Sequence, residues 1–156
     1  DERFAGYPIL MKMFRQKLQE YFGHFELVFV SWSNGINPVS IHADHHFHKR
    51  HNLPGKHYFS FIVPYSVDND ISKCGLASTV VFDDYRMYPR DDNATEHRKT
   101  FLGHIEESKL ATVKVKANNK WKHGSLIWWD SELFHSSSNF VNFETKQCLV
   151  GHTYIK

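Results

Sequence analysis

The chain has 156 residues, of which 41% are hydrophobic and 23% are charged, an ordinary globular composition that excludes wholesale disorder. Its 19 basic and 17 acidic residues give a formal net charge of +2, which is too balanced by itself to indicate a nucleic-acid-binding protein. No apolar run approaches the roughly 20 residues of a membrane-spanning helix. We therefore expect a single domain over residues 1–156 and no membrane segment.

Cysteine usage and the first residues favour an intracellular protein. Cys74 and Cys148 are too few for a disulfide framework, and we expect both to be buried thiols. The first ten residues lack the basic start and apolar core of a secretory signal peptide. A reduced, cytoplasmic (intracellular) setting is therefore the simpler expectation.

The first predicted element is an α-helix over Pro8–Phe22. Apolar residues recur in it at intervals of three and four, as they do in an amphipathic helix. Pro8 suits the first turn of a helix, and Gly23 suits the position just after its end. We expect this helix to pack on the outside of a sheet.

After Gly23 the chain consists of short runs rich in valine and aromatic residues, which are typical of strands. The predicted strands are 26–32, 38–43, 57–65, 77–82, 112–117, 125–129, 134–140 and 147–155. Polar residues 45–56 and 83–98 are predicted as long loops, and 101–110 as one or two helical turns. One helix followed by about eight strands predicts a mainly β fold, a jelly roll or double-stranded β-helix with its core strands over about 26–155.

The strongest candidate for chemistry is the triplet His42-Ala43-Asp44 at the end of the second predicted strand. Residues two apart on a strand point to the same face, so this imidazole and this carboxylate can bind one metal ion. A second histidine, His135, follows a strand and a tight turn at 130–132. Two histidines and one carboxylate form the facial triad of non-haem Fe(II) oxygenases, which leaves coordination positions open. The three residues together therefore predict a metal site.

This pattern resembles the Fe(II)/2-oxoglutarate-dependent oxygenases, especially their phytanoyl-CoA hydroxylase-like and prolyl hydroxylase-like branches. In that family His-x-Asp ends the second core strand and the distal histidine begins the seventh. The predicted strands place His42 and His135 at the same two positions. The run His135-Ser-Ser-Ser-Asn139 is similar to the run that follows the distal histidine in the phytanoyl branch. The resemblance covers roughly residues 26–155.

The resemblance also implies a cosubstrate site. The family has a cation ten or eleven residues after the distal histidine, where it binds the far carboxylate of 2-oxoglutarate, and Lys146 lies at that offset from His135. The chain is thus expected to hold Fe(II) through His42, Asp44 and His135 and 2-oxoglutarate through Lys146. The implied reaction is the hydroxylation of a C–H bond by dioxygen with release of succinate and CO2. Family halogenases replace the carboxylate ligand with a small residue, so Asp44 favours hydroxylation.

One part of the cosubstrate site departs from the family. The phytanoyl branch commonly has Arg-x-Ser where this chain has Lys146-Gln147-Cys148. The second anchor on the carboxylate is therefore left open. Tyr58, Ser60 and Thr79 on other predicted strands are the candidates for it.

The substrate, a small molecule or a peptide, is expected at a mouth formed by the loops 44–56 and 83–98, since binding groups sit on loops over a rigid scaffold. The histidines near the first loop are interpreted as mouth residues rather than as a second metal site: His45, His46, His48, His51 and His57. Three arginines near the second loop would suit an anionic or peptide substrate: Arg86, Arg90 and Arg98.

Other functions remain open at this point. A non-catalytic, cupin-like jelly roll that binds a metal or ligand would have the same fold, although it has no need of a cation such as Lys146. The lysines of 114–122 are interpreted as a solvated strand and hairpin, and nucleic-acid binding through them is the weaker reading. Of the adjacent Trp128 and Trp129, one is expected to face the core and the other to face outward.

Overall fold

The computed structural model describes residues 8–23, 25–45, 57–83 and 94–155. The helices in these ranges are α1 (Pro8–Phe22), α2 (Ala94–Thr100) and α3 (Glu107–Leu110), with a 3-10 helix at Ile71–Leu76. The strands are β1 (Phe25–Gly35), β2 (His57–Val67), β3 (Ser78–Phe82), β4 (Val115–Lys120), β5 (Ile127–Asp130), β6 (His135–Ser137) and β7 (Lys146–Ile155). The fold is mainly β, as the strand pattern predicted.

The strands form two antiparallel sheets. The four-stranded sheet has the order β1-β7-β2-β5, and the three-stranded sheet has the order β4-β3-β6. Side chains alternate between the two faces of a strand, so Ile62 of β2 and Val81 of β3 point between the sheets. They pack there in one buried cluster with Trp129 and Cys148. The sheets therefore face each other across a shared core.

Each sheet is also covered on its outer face. Leu18 of α1 packs against Val30 and Phe61 on the outside of the four-stranded sheet, which confirms the predicted position of the helix. On the other side, Val80 and Phe82 of β3 pack against residues 102–113, which include α3. The layers are therefore, in order, helix α1, the four-stranded sheet, the three-stranded sheet and the segment that contains α3.

The predicted strand 38–43 is not formed as a strand. It contains one isolated antiparallel bridge, between His42 and His135 of β6. Pro38 has no backbone N–H to donate, and the N–H of Val39 donates to the side-chain hydroxyl of Ser137 at 2.6 Å instead of to a backbone carbonyl. The expected count of about eight strands is therefore not confirmed, because the part of the chain that the structure describes has seven.

Other boundaries also differ from the predictions, among them those of β1 and β6. The predicted loop 83–98 ends in helix α2, and its residues 84–93 lie outside the described ranges. Strand β4 begins and ends three residues later than the predicted strand 112–117. The reason is that Leu110 and Val113 pack into the outer core, so the chain joins the sheet only after them. The helical turns expected within 101–110 are confirmed by α3.

Several simpler predictions are confirmed. Trp129 is 6% exposed, whereas Trp128 is 51% exposed. Cys74 and Cys148 are both buried, free thiols. The lysines of 114–122 are exposed. No helix in the described ranges combines the length and the apolar character that crossing a bilayer requires.

Candidate metal centre

The backbone brings the three predicted ligands together at one end of the three-stranded sheet. His42 and His135 exchange both of their backbone hydrogen bonds, at 3.0 and 2.8 Å. Their rings consequently lie side by side, with centroids 4.1 Å apart. The turn that follows is fixed by the N–H of Asp44, which donates to the carbonyl of Ser131 at 3.1 Å. Local spacing and one strand pairing therefore position all three side chains.

The ligand atoms of His42, Asp44 and His135 all lie within 4.8 Å of one another. The two carboxylate oxygens of Asp44 lie 3.7 Å from Nε2 of His42 and 3.4 Å from Nε2 of His135. Each Nδ1 faces a backbone carbonyl, that of Ser40 at 2.8 Å and that of Leu133 at 3.4 Å. A carbonyl only accepts, so each Nδ1 carries the proton and each Nε2 presents a lone pair toward the carboxylate.

The charge states also suit a divalent cation. Burial lowers the pKa of His135 to about 4, although Asp44 partly opposes this. Burial raises the pKa of Asp44, but the neighbouring His135 and a hydrogen bond from Ser60 outweigh it and leave the pKa below its usual value. Near neutral pH the group therefore has a neutral His135 and an ionised Asp44, the protonation states in which these side chains bind metals.

A cavity of about 230 Å³ lies between the sheets, and the three ligands and Lys146 all contribute to its wall. Its volume is below the roughly 300–1,000 Å³ of sites for drug-sized ligands, so it suits a small molecule. His152 and Lys146 both line the cavity from β7. Their Cα atoms are about 20 Å apart along that extended strand, at about 3.4 Å per residue.

Lys146 is a buried cation, with 8% of its surface exposed. Its ammonium lies 5.0 Å from the ring centroid of Trp121 and 5.4 Å from that of Phe140. Within the described ranges no carboxylate forms an ion pair with it. Burial lowers the pKa of Lys146 to about 8. A buried charge without a counter-ion is costly, which points to an anionic ligand.

The strand beside Lys146 leaves room for its side chain. Gly35 of β1 pairs with Lys146 in the sheet. A Cβ atom at Gly35 would lie 3.3 Å from both Cγ and Cε of the lysine. A glycine is therefore the residue that lets the lysine stem pass without crowding.

The three candidates for the second anchor lie in different places. Thr79 lines the cavity and accepts a hydrogen bond from the indole N–H of Trp121 at 3.0 Å. Trp121 is also the ring beside Lys146, so Thr79 shares a neighbour with the cation. Ser60 lies beside Asp44, at the metal ligands. The ring of Tyr58 packs at 5.7 Å from that of Tyr154.

The predicted mouth falls mostly on residues that the structure does not describe. His46, His48, His51, Arg86 and Arg90 lie outside the described ranges. Three others are described. His45 is partly buried next to Asp44 in the chain, and His57 begins β2 and is exposed. Arg98 lies 3.9 Å from Glu107 in an exposed ion pair.

Sequence reasoning did not find the residues that support the ligands. His152, Ser131 and Trp121 carry no local motif. His152 and Trp121 reach the cavity, and Ser131 reaches the hydroxyl of Ser60, only through the pairing of distant strands. The alternation of β7 was the one available signal for His152, because it shares a face with Lys146 and Cys148.

Comparison with known proteins adds no relative, since no family model and no curated protein matches the chain.

Proposed function

We propose that this chain is an Fe(II)- and 2-oxoglutarate-dependent oxygenase that hydroxylates a C–H bond of its substrate. The observation that carries the proposal is one small cavity whose wall contains both a two-histidine, one-carboxylate group and a buried lysine with no carboxylate partner among the described residues. A site for metal alone would not need the lysine. A site for a small diacid that also chelates the metal needs both.

The strand order supports a double-stranded β-helix. If the segment 38–43 is counted beside β6, where its bridge lies, each sheet has four members. The chain then passes from β1 in one sheet to 38–43 in the other, to β2 in the first and to β3 in the second. Two four-stranded sheets linked by such crossings are typical of a jelly roll.

The donor set fits Fe(II). Two imidazoles and one carboxylate on one side of the ion leave its other positions open, and His135 and Asp44 are in the required protonation states. When bound, Fe(II) and 2-oxoglutarate supply the oxidising chemistry, in which substrate C–H, dioxygen and 2-oxoglutarate become substrate C–OH, succinate and CO2. The protein's part is to position these groups and keep water away.

The remaining cavity residues bind and shield the cosubstrate. We assign Lys146 to the far carboxylate of 2-oxoglutarate, where an ammonium donates up to three hydrogen bonds. Thr79 is the favoured second anchor, because its hydroxyl and Lys146 both contact Trp121. The wall between the sheets includes Ile62 and Val150, apolar side chains that reduce water around the bound diacid.

The test is an anaerobic titration of Fe(II) and 2-oxoglutarate, followed by the weak visible charge-transfer band of the chelate. We expect a band in the wild type that is lost in Asp44→Ala and weakened in Lys146→Ala. Lys120→Ala is the matched control, since Lys120 is exposed on β4. Metal binding without any band would overturn the oxygenase proposal and favour a cupin-like binding protein.

A further inference from the structure

The buried lysine reaches across the core toward the other sheet. Lys146 begins β7 in the four-stranded sheet, whereas Trp121 directly follows β4 of the three-stranded sheet. The lysine ammonium lies 5.0 Å from the ring centroid of Trp121. Trp121 is itself 3% exposed, and its backbone N–H donates to the carbonyl of Ala77 at 3.0 Å. An indole fixed at the end of one sheet therefore supports the cation of the other.

A second aromatic ring lies beside the ammonium. The ring centroid of Phe140 is 5.4 Å from it, and this ring packs against that of Phe143 with the centroids 4.5 Å apart. The face of an aromatic ring carries partial negative charge and attracts a cation. Unlike a carboxylate, a ring leaves the net charge of the lysine in place. The rings therefore stabilise the position of the ammonium without neutralising it.

The nitrogen of the same indole determines the direction of a hydrogen bond. Nε1 of Trp121 lies 3.0 Å from Oγ1 of Thr79. An indole N–H can only donate, so the hydroxyl of Thr79 accepts this bond whatever the charges nearby. The one proton of that hydroxyl then remains for another acceptor, and no acceptor for it is found among the described residues. Thr79 thus has a proton to donate to a ligand.

The ammonium and the hydroxyl reach the cavity from opposite sheets. Lys146, Thr79 and Trp121 all line the cavity. Thr79 lies on β3, where it pairs with Asn119 of β4 and with Ser137 of β6. Thr79 is 5% exposed and Lys146 is 8% exposed. Two buried donors that contact one indole can bind the two oxygens of a single carboxylate.

We infer that Trp121 is the positioning residue for the far carboxylate of the cosubstrate: its ring supports the ammonium of Lys146, and its N–H leaves the hydroxyl proton of Thr79 free to donate. The inference rests on the proposed function, because it takes the ligand to be 2-oxoglutarate. Trp121 acts through the two anchors and not through the metal. It therefore determines how strongly the site prefers a 2-oxo diacid to a 2-oxo monoacid of the same length.

The test compares two ligands that differ only at the far end. 2-Oxovalerate has the carbon chain and the metal-chelating end of 2-oxoglutarate, but it carries a methyl group in place of the far carboxylate. The affinity of the Fe(II)-loaded chain for each is measured anaerobically by the charge-transfer band. We expect Trp121→Phe, which keeps a ring and removes the N–H, to weaken 2-oxoglutarate binding by about 3–10-fold. Its affinity for 2-oxovalerate should not change.

Variants of Thr79 separate the hydrogen bond from the size of the indole. Thr79→Ser keeps the hydroxyl and should keep most of the 2-oxoglutarate affinity, whereas Thr79→Val should lose it. In the Thr79→Val background, Trp121→Phe should cause little further loss, because both changes break the same bond. Phe82→Leu is the matched control for lost core volume, since Phe82 is fully buried in the outer cluster. It should leave the ratio of the two affinities unchanged.

The ring contact gives a readout without metal or ligand. The NMR signals of the protons on Cε of Lys146 should lie upfield of their ordinary position in the wild type, because of the ring currents of the neighbouring aromatic side chains. Trp121→Leu should move these signals back, whereas Phe82→Leu should not. Ordinary positions in the wild type would overturn the inference.

The wild-type titration separates this inference from the proposed function. A wild-type preference for 2-oxoglutarate over 2-oxovalerate that Trp121→Phe leaves intact would overturn the inference alone. No binding of 2-oxoglutarate to the Fe(II)-loaded wild type would overturn the proposed function and the inference with it.

Discussion

The cavity between the sheets contains two charged regions that are balanced in different ways. At the metal ligands, the carboxylate of Asp44 lies beside the two imidazole rings of His42 and His135, and its backbone N–H is bonded to Ser131. At the other region, the positive charge of Lys146 has aromatic rings beside it and, within the described ranges, no anion. The carboxylate therefore has partners within the protein, whereas we propose that an incoming anionic ligand neutralises the lysine.

Removal of the carboxylate should give the largest effect on metal binding. Asp44→Ala takes away the anionic ligand and leaves two imidazoles. We therefore expect the metal affinity to fall by more than the roughly 10–100-fold that follows the loss of a hydrogen-bond partner of a ligand. Calorimetric titration with Fe(II) under anaerobic conditions measures it. Asp70→Ala, which changes the N-cap of the 3-10 helix, is the control. An unchanged affinity in Asp44→Ala would place the metal elsewhere.

Removal of the lysine should separate stability from binding. The pKa of Lys146 falls from an ordinary 10.5 to about 8 on burial, which corresponds to on the order of 3 kcal/mol of destabilisation near neutral pH. Lys146→Met should therefore raise the melting temperature of the ligand-free protein while it removes 2-oxoglutarate binding. Thermal unfolding and the charge-transfer band measure the two effects. A Lys146→Met variant that is less stable than the wild type and still binds 2-oxoglutarate would contradict the role proposed for this lysine.

The pH dependence should differ between the two regions. Above a pH of about 8, Lys146 loses its proton in the folded state, so 2-oxoglutarate should bind more weakly as pH rises through that value. The unfolded state keeps this proton until about pH 10.5. It then binds more protons than the folded state, and the ligand-free protein should become more stable over that interval. The affinity for Fe(II) alone, measured in parallel, should not fall with the loss of this lysine proton.

Crowding of the lysine should give the smallest effect. Gly35→Ala places a Cβ 3.3 Å from the Lys146 stem, so the ammonium must shift by a few tenths of an ångström. We expect a loss of about 1 kcal/mol or less in 2-oxoglutarate binding and no change in metal affinity. Gly75→Ala is the control, because nothing lies within 4 Å of its added carbon. Equal effects of the two substitutions would show that Gly35 is not needed beside the lysine.

Local spacing accounts for what could be predicted about the site. His42 and Asp44 share a face because side chains on extended backbone alternate, and His135 was recognisable because a strand and a tight turn precede it. The outer position of α1 followed from its 3.6-residue period. Such reasoning could not predict that the segment 38–43 does not form a strand. The reason lies far along the chain, where the hydroxyl of Ser137 accepts the backbone N–H of Val39 that a strand pairing would have used.

The sequence by itself therefore determined the mainly β composition, the helix and the identity of the candidate ligands, since each depends on residues close together in the chain. Only the tertiary structure decided which side chains support them. Ser60 meets His152 because of the register of β2 with β7, and Lys146 meets Trp121 across the core. Such contacts depend on long-range strand pairing, in which a slip of one residue would turn every side chain to the other face.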